Sequence, residues 1–283
     1  MASLGIAGAR GMGAALARLA LRSGLKVTLF DPNPQSLEEA RGRLTHGPRA
    51  GSGDQDPDPL APASSLTNVR TTAEIADLAN LDAVIETVVD TRDAKRTLLV
   101  RLDAACSDRT LLCTTTATQS ISALGAAVSR PELLIGMHFL RPVGAGRVVE
   151  IVAGLRTSAR AIERAHSLAT MLGKTPIAAG NRPGFVVDRL AGMMRMEAVY
   201  AIEEGAADPQ TIDGLLEAMG FASGPLAQLD TIGLDHALAA ARALFESYLG
   251  ESRFRPPLLL AEMVDAGWTG RSTGKGFHDY GAR

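Results

Sequence analysis

Apolar positions along the chain follow two regimes. Up to about residue 180, short aliphatic runs alternate with longer segments whose apolar residues recur every three or four positions. The runs Ser3–Ala7, Lys26–Phe30, Asp82–Val88, Thr110–Thr114, Leu134–His138, Val148–Val152 and Thr175–Ala179 predict strands. Gly11–Ser23, with Leu16, Leu19 and Ala20 on one face, predicts a helix, as do Pro34–Leu44 and Arg92–Ala105. Such alternation builds a mainly parallel, doubly wound sheet, because parallel neighbours need a crossover connection. Residues 45–68 break the pattern: glycine, proline and aspartate dominate, which predicts a loop. Beyond Asn181-Arg182-Pro183-Gly184 the period becomes helical throughout. Phe185–Glu204, Pro209–Met219, Gly224–Gly233, Leu234–Leu249 and Pro256–Ala266 read as helices. The expected organisation is an α/β domain over 1–182 and a smaller all-helical domain over 183–283, with Pro183 as a hinge.

Composition narrows the possible functions. The 283 residues carry a formal net charge of -2, so no basic field is available to a nucleic-acid backbone. No apolar run reaches the roughly 18 residues of a membrane span. The opening MASLGIAGARG lacks a charged leader and cleavage site, and a cytoplasmic location is expected. Cys106 and Cys113 have no metal-ligand spacing and are expected to be small buried hydrophobes. His46, His166, His236 and His278 are expected to be surface or packing residues.

The first strand runs into Gly8-Ala9-Arg10-Gly11-Met12-Gly13, which opens a helix. A glycine turn there lets backbone approach a pyrophosphate, and the helix N-terminus offers N–H groups and the positive end of a dipole. Asp31 ends the second strand, 18 residues after Gly13, where a carboxylate can accept hydrogen bonds from ribose hydroxyls. The same carboxylate repels a 2′-phosphate, and Pro32 and Asn33 follow it rather than an arginine. The elements in this order predict a Rossmann-like domain that binds NAD rather than NADP. Arg10 stands where the usual middle glycine would be, and it is expected to turn outward or to offer its guanidinium to the phosphates.

Further motifs make the chain resemble the 3-hydroxyacyl-CoA and 3-hydroxybutyryl-CoA dehydrogenases over nearly its whole length. Val84-Ile85-Glu86 with Lys95 matches the family's central strand and helix. His138-Phe139-Leu140-Arg141-Pro142 resembles its HFFNP segment, and Val149-Glu150 its LVE segment. Pro183 to Leu190 resembles PGFIVNRL, and Thr273 to Tyr280 resembles TGKGFYDY. Glu203-Glu204-Gly205, Gly224-Pro225-Leu226 and Ile232-Gly233-Leu234-Asp235 also recur in the family's helical domain. His138 ends a strand and Glu150 lies twelve residues on, on a neighbouring strand. A carboxylate on one imidazole nitrogen fixes the tautomer and stabilises the cation formed when the other takes a proton, as alcohol oxidation requires. The resemblance implies His138 as general base and Glu150 as its partner. It also implies Gly8, Arg10, Gly11, Met12, Gly13, Asp31, Glu86, Lys95 and Thr115 at the cofactor, and a homodimer.

Several family positions differ. The serine that would contact the substrate hydroxyl falls at Ala117, 21 residues before His138, and alanine cannot donate. Thr116 or Thr118 is expected to substitute. Two family asparagines are replaced by Arg141 and Asp188, and a third helical asparagine position by Met196. Arg141 and Asp188 are expected either to pair beside His138 or to grip a polar acyl group. The region that holds coenzyme A in the family is here part of a stretch without lysine between Lys26 and Lys95. That loss favours a small polar 3-hydroxyacyl thioester on an acyl carrier protein, a glyceryl group on the way to methoxymalonyl extender units. The alternatives are a 3-hydroxybutyryl-CoA or other short-chain 3-hydroxyacyl-CoA dehydrogenase, and a catalytically weak NAD-binding homologue.

Overall fold

The structure, a computed structural model, describes residues 3–46, 63–140 and 142–281. The chain divides into two compact units, Met1–Phe185 and Val186–Arg283.

The first unit holds an eight-stranded sheet in the order β3-β2-β1-β4-β5-β6-β7-β8. The strands are β1 Ser3–Ala7, β2 Lys26–Phe30, β3 Val69–Thr72, β4 Ala83–Glu86, β5 Leu111–Thr114, β6 Leu134–Phe139, β7 Val148–Ala153 and β8 Thr175–Ala179. Its helices are α1 Gly11–Arg22, α2 Pro34–His46, α3 Arg92–Ala105, α4 Ile121–Gly125 and α5 Ala159–Met171. Adjacent strands pair in parallel except β6 with β7, which run antiparallel. Residues 45 and 46, expected in the loop, extend α2, and Ala63–Asn68 form a 3₁₀ turn. The part of the expected loop at 47–62 lies outside the described residues.

The strand pattern was legible because buried strands read as continuous apolar runs: β1, β4, β5 and β6 are covered on both faces. β3 was missed because it is an edge strand pairing with β2, and Val69 is its sole apolar residue. α5 was missed although its signals are present: Ser158 accepts from the Ala161 amide as N-cap, and Ala161, Ala165, Leu168 and Ala169 form a buried face.

The second unit comprises α6 Val187–Glu203, α7 Pro209–Ala218, α8 Pro225–Ile232, α9 Leu234–Ser247 and α10 Leu258–Asp265. Its core joins Met196, Val199, Leu226, Leu229, Leu234, Leu238, Leu260 and Met263. Two buried carboxylates organise it. Asp213 caps α8 by accepting from the Leu226 and Ala227 amides, both at 2.9 Å, and it bonds His278 Nε2 at 2.8 Å. Asp230 accepts from the Phe277 and His278 amides, both at 2.9 Å, and from the Tyr280 hydroxyl at 3.0 Å. A Cβ on residue 276 would collide with that carboxylate, so glycine is required there. The C-terminal TGKGFHDY run is thus a strap pinned to the helices.

Replacing Asp230 by alanine leaves three donors without their acceptor, and losses of about 1–3 kcal/mol per stranded group add up. Asp230→Ala should lower the urea midpoint markedly and expose the last ten or so residues to protease.

Candidate active site

The turn after β1 shows why each glycine is where it is. Gly8 has φ +115°, a conformation other residues rarely adopt, and its amide donates to the Phe30 carbonyl at 2.8 Å. A Cβ on Gly13 would collide with the Gly8 carbonyl oxygen, so helix and strand could not approach as they do. Arg10 has φ -79° and ψ 163°, ordinary extended backbone, so this position places no conformational demand for glycine. Its side chain is exposed.

Asp31 is buried at the end of β2 and accepts from the Ala9 and Asn33 amides, both at 2.9 Å. Each oxygen has one bond and keeps a further lone pair for a hydroxyl donor. Its carboxylate lines a cavity of about 420 Å³ with Gly8, Phe30, Val88, Leu98 and Arg101. The glycine cradle, the opening turn of α1 and an acidic wall fit the phosphates and adenosine of NAD.

Glu86 ends β4 and Lys95 lies in the first turns of α3. Both are buried, at 0% exposure, and they engage each other. Lys95 Nζ lies 3.1 Å from each Glu86 oxygen, and the Thr114 hydroxyl and Val88 amide complete the set at 2.7 Å. Burial raises the Glu86 pKa, with the Lys95 charge pulling it back. They tie β4, β5 and α3 together. Thr115 follows β5, and its amide donates to the Glu86 carbonyl at 3.1 Å.

Asp90 escaped the sequence reading. It accepts from the Thr116 hydroxyl at 2.6 Å, the Thr118 hydroxyl at 3.1 Å and the Ala117 and Thr118 amides at 3.0 and 3.2 Å. The expected substitution of Thr116 or Thr118 for a donor at position 117 is corrected accordingly: both hydroxyl protons point to Asp90. The signal available was a run of hydroxyl residues beside an acid at the end of a neighbouring strand.

His138 and Glu150 are cross-strand partners in the antiparallel β6–β7 pair. His138 Nδ1 lies 2.7 Å from Glu150 Oε2, and both residues are buried, at 7% and 1% exposure. Phe185 is a second residue the sequence reading missed. Gly184 and Phe185 have φ +75° and +43° in succession, strained backbone for a phenylalanine. This turn sets the Phe185 ring edge-on to the imidazole, with centroids 5.7 Å apart, while the Gly184 amide donates to the Ala117 carbonyl at 3.0 Å.

Arg141 lies outside the described residues, and so does the ion pair expected of it. Asp188 sits in the first turn of α6 in the second unit. Burial lowers the Arg195 pKa there, and the Asp188 charge opposes that fall. Met196 is buried in the helical core. Cys106 and Cys113 are buried and free, their thiols pushed up by burial to about 11 and about 12, as expected of inert packing residues. No helix of the described residues is long and apolar enough to cross a membrane, and those residues hold no cluster of potential metal ligands.

Comparison with known proteins gives a consistent picture. Residues 3–182 match the 3-hydroxyacyl-CoA dehydrogenase NAD binding domain, and residues 184–280 match the 3-hydroxyacyl-CoA dehydrogenase C-terminal domain. The chain is 36% identical over 278 residues to a probable 3-hydroxybutyryl-CoA dehydrogenase of Bacillus subtilis, covering 97% of this chain and 96% of that one. It is 32% identical to a 3-hydroxybutyryl-CoA dehydrogenase of Bradyrhizobium diazoefficiens, covering 98% and 94%. Among solved structures, the (S)-3-hydroxybutyryl-CoA dehydrogenase of Ralstonia eutropha superposes with a TM-score of 0.86 at 33% identity, covering 99% of each chain.

The Glu86 shift has a consequence for stability. A carboxyl whose folded-state pKa is raised contributes stability that is full below its unfolded value and lost as pH rises through the folded one. Glu86→Gln removes this component. The unfolding free energy of wild type minus variant should therefore fall as pH rises above the ordinary value of 4.5, measured by urea denaturation at successive pH values.

Proposed function

The chain belongs to the 3-hydroxyacyl-CoA dehydrogenase family, and on that premise we propose that it oxidises the 3-hydroxyl of a short-chain 3-hydroxyacyl-CoA of the 3-hydroxybutyryl type. It is an NAD-dependent oxidoreductase. The observation that carries the proposal is the 2.7 Å bond between His138 Nδ1 and Glu150.

With Nδ1 engaged by the carboxylate, Nε2 is the atom that takes the hydroxyl proton as the carbonyl forms. Glu150 holds the ring in one orientation and stabilises the imidazolium. NAD, when bound, would supply the acceptor for the hydride released from C3. Gly8, Gly11, Met12 and Gly13 would hold its pyrophosphate, and Asp31 its ribose hydroxyls. Because Ala117 has no hydroxyl and Thr118 directs its proton to Asp90, His138 handles the alcohol without a hydroxyl donor from this loop.

The relatives' names favour coenzyme A over the carrier-bound glyceryl group, which rests on the lysine-free stretch between Lys26 and Lys95. A homodimer is proposed as well. The helical unit exposes Leu215, Met219, Leu249 and Leu258, apolar surface of the kind that meets a second copy. Sedimentation at twice 29.6 kDa is expected, and a 29.6 kDa particle in solution would exclude the dimer.

The activity test follows NADH absorbance with acetoacetyl-CoA, 3-hydroxybutyryl-CoA and carrier-linked 3-hydroxyacyl thioesters. Turnover is expected on the coenzyme A substrates. His138→Asn and Glu150→Gln should each lower kcat by about 10²–10⁴-fold with NAD affinity kept. Turnover on the carrier-linked substrate alone would favour the glyceryl reading. Silence with all of them, despite bound NAD, would leave a weak NAD-binding homologue.

A further inference from the structure

The connection from β6 to β7 spans residues 140–147, longer than the roughly two to five residues that set a hairpin's register through their own turn geometry. Register matters here more than elsewhere in the sheet. A slip of one residue would carry Glu150 to the opposite face, away from His138. Something other than the turn must therefore hold the connection.

Lys174 is placed to do so. It precedes β8, after the left-handed Gly173, with φ +70°. Its side chain is buried and reaches into the connection. Nζ donates to the carbonyls of Val143 at 2.6 Å, Gly144 at 3.2 Å and Gly146 at 2.6 Å. An ammonium has three donors, and three carbonyls of one loop take them. The backbone on either side is tied as well: the Thr175 amide donates to the Arg147 carbonyl at 2.8 Å, and the Gly146 amide to the Pro142 carbonyl at 2.9 Å. Without the ammonium these carbonyl dipoles would point at one another in a buried site, and the loop would open.

We propose that Lys174 is a positioning residue for the reaction. Its ammonium shapes the β6–β7 connection and thereby keeps the Glu150 carboxylate opposite the His138 imidazole. The effect on rate rests on the dehydrogenase reading above, whereas the effect on the imidazole rests on geometry alone.

The experiment separates the two. The Nδ1 proton of His138, bonded to a carboxylate, should give a low-field NMR resonance in the wild-type protein. Lys174→Met keeps the length and apolar stem and removes the charge. The resonance should vanish or move upfield in this variant, while NAD affinity stays at the wild-type value and reports an intact nucleotide domain. The kcat should fall about 10²-fold, the scale of a small misplacement of a catalytic group, with little change in the KM for thioester. If Lys174→Met does not fold, Lys174→Gln, which keeps two donors, takes its place in the same comparison. A resonance at the wild-type position in a variant that binds NAD overturns the proposal, whatever the rate. A wild-type protein that shows the resonance but turns over no thioester overturns the dehydrogenase reading instead.

Discussion

The pairing of β6 with β7 is the constraint on which the site depends. Parallel neighbours must be separated in sequence by a crossover of a dozen or more residues, so they do not bring residues 138 and 150 together through a short connection. A single reversal of direction among the described strand pairs does this. It places an imidazole and a carboxylate on the same face in direct opposition, near the end of β6, where the ends of the parallel strands also gather. The register sets residue 138 opposite residue 150, and the two side chains meet at 2.7 Å. A side-chain pair built this way is pre-organised by its backbone.

A buried ion pair ties other elements of the same sheet. The Glu86–Lys95 pair is costly in desolvation and gains little net stability over an apolar alternative. What it gives is directionality: it fastens the start of α3 to the ends of β4 and β5. Asp90 extends that network upward to the segment 116–118. Phe185 adds a wall to the imidazole, at the expense of a strained φ of +43°. Strain of that kind persists where the surroundings dictate it.

The helical unit repeats the same device with different residues. Asp213 and Asp230 are carboxylates that each accept from two backbone amides and meet one side-chain partner. Each exchanges hydration for a set of fixed donors, which makes the geometry specific. His278, a packing residue as its place in the sequence suggested, closes on Asp213 and so joins the C-terminal strap to α7 and α8.

Local information in the chain was sufficient for the strands of the sheet interior, for the glycine cradle with Asp31, for the change of period at Pro183 and for the identity of the His138–Glu150 pair. The first three rest on a periodicity, a spacing or a residue type, and the pair rests on the resemblance of its two segments to the family's motifs. Tertiary structure decided what depends on partners distant in sequence. It showed Glu86 and Lys95 to be a buried pair and the Thr116 and Thr118 hydroxyls to be bonded to Asp90. It also turned Phe185 onto the imidazole and brought Lys174 to three carbonyls of a loop about 30 residues away. Burial and hydrogen-bond saturation belong to the packed chain, because they count neighbours that the linear order does not reveal.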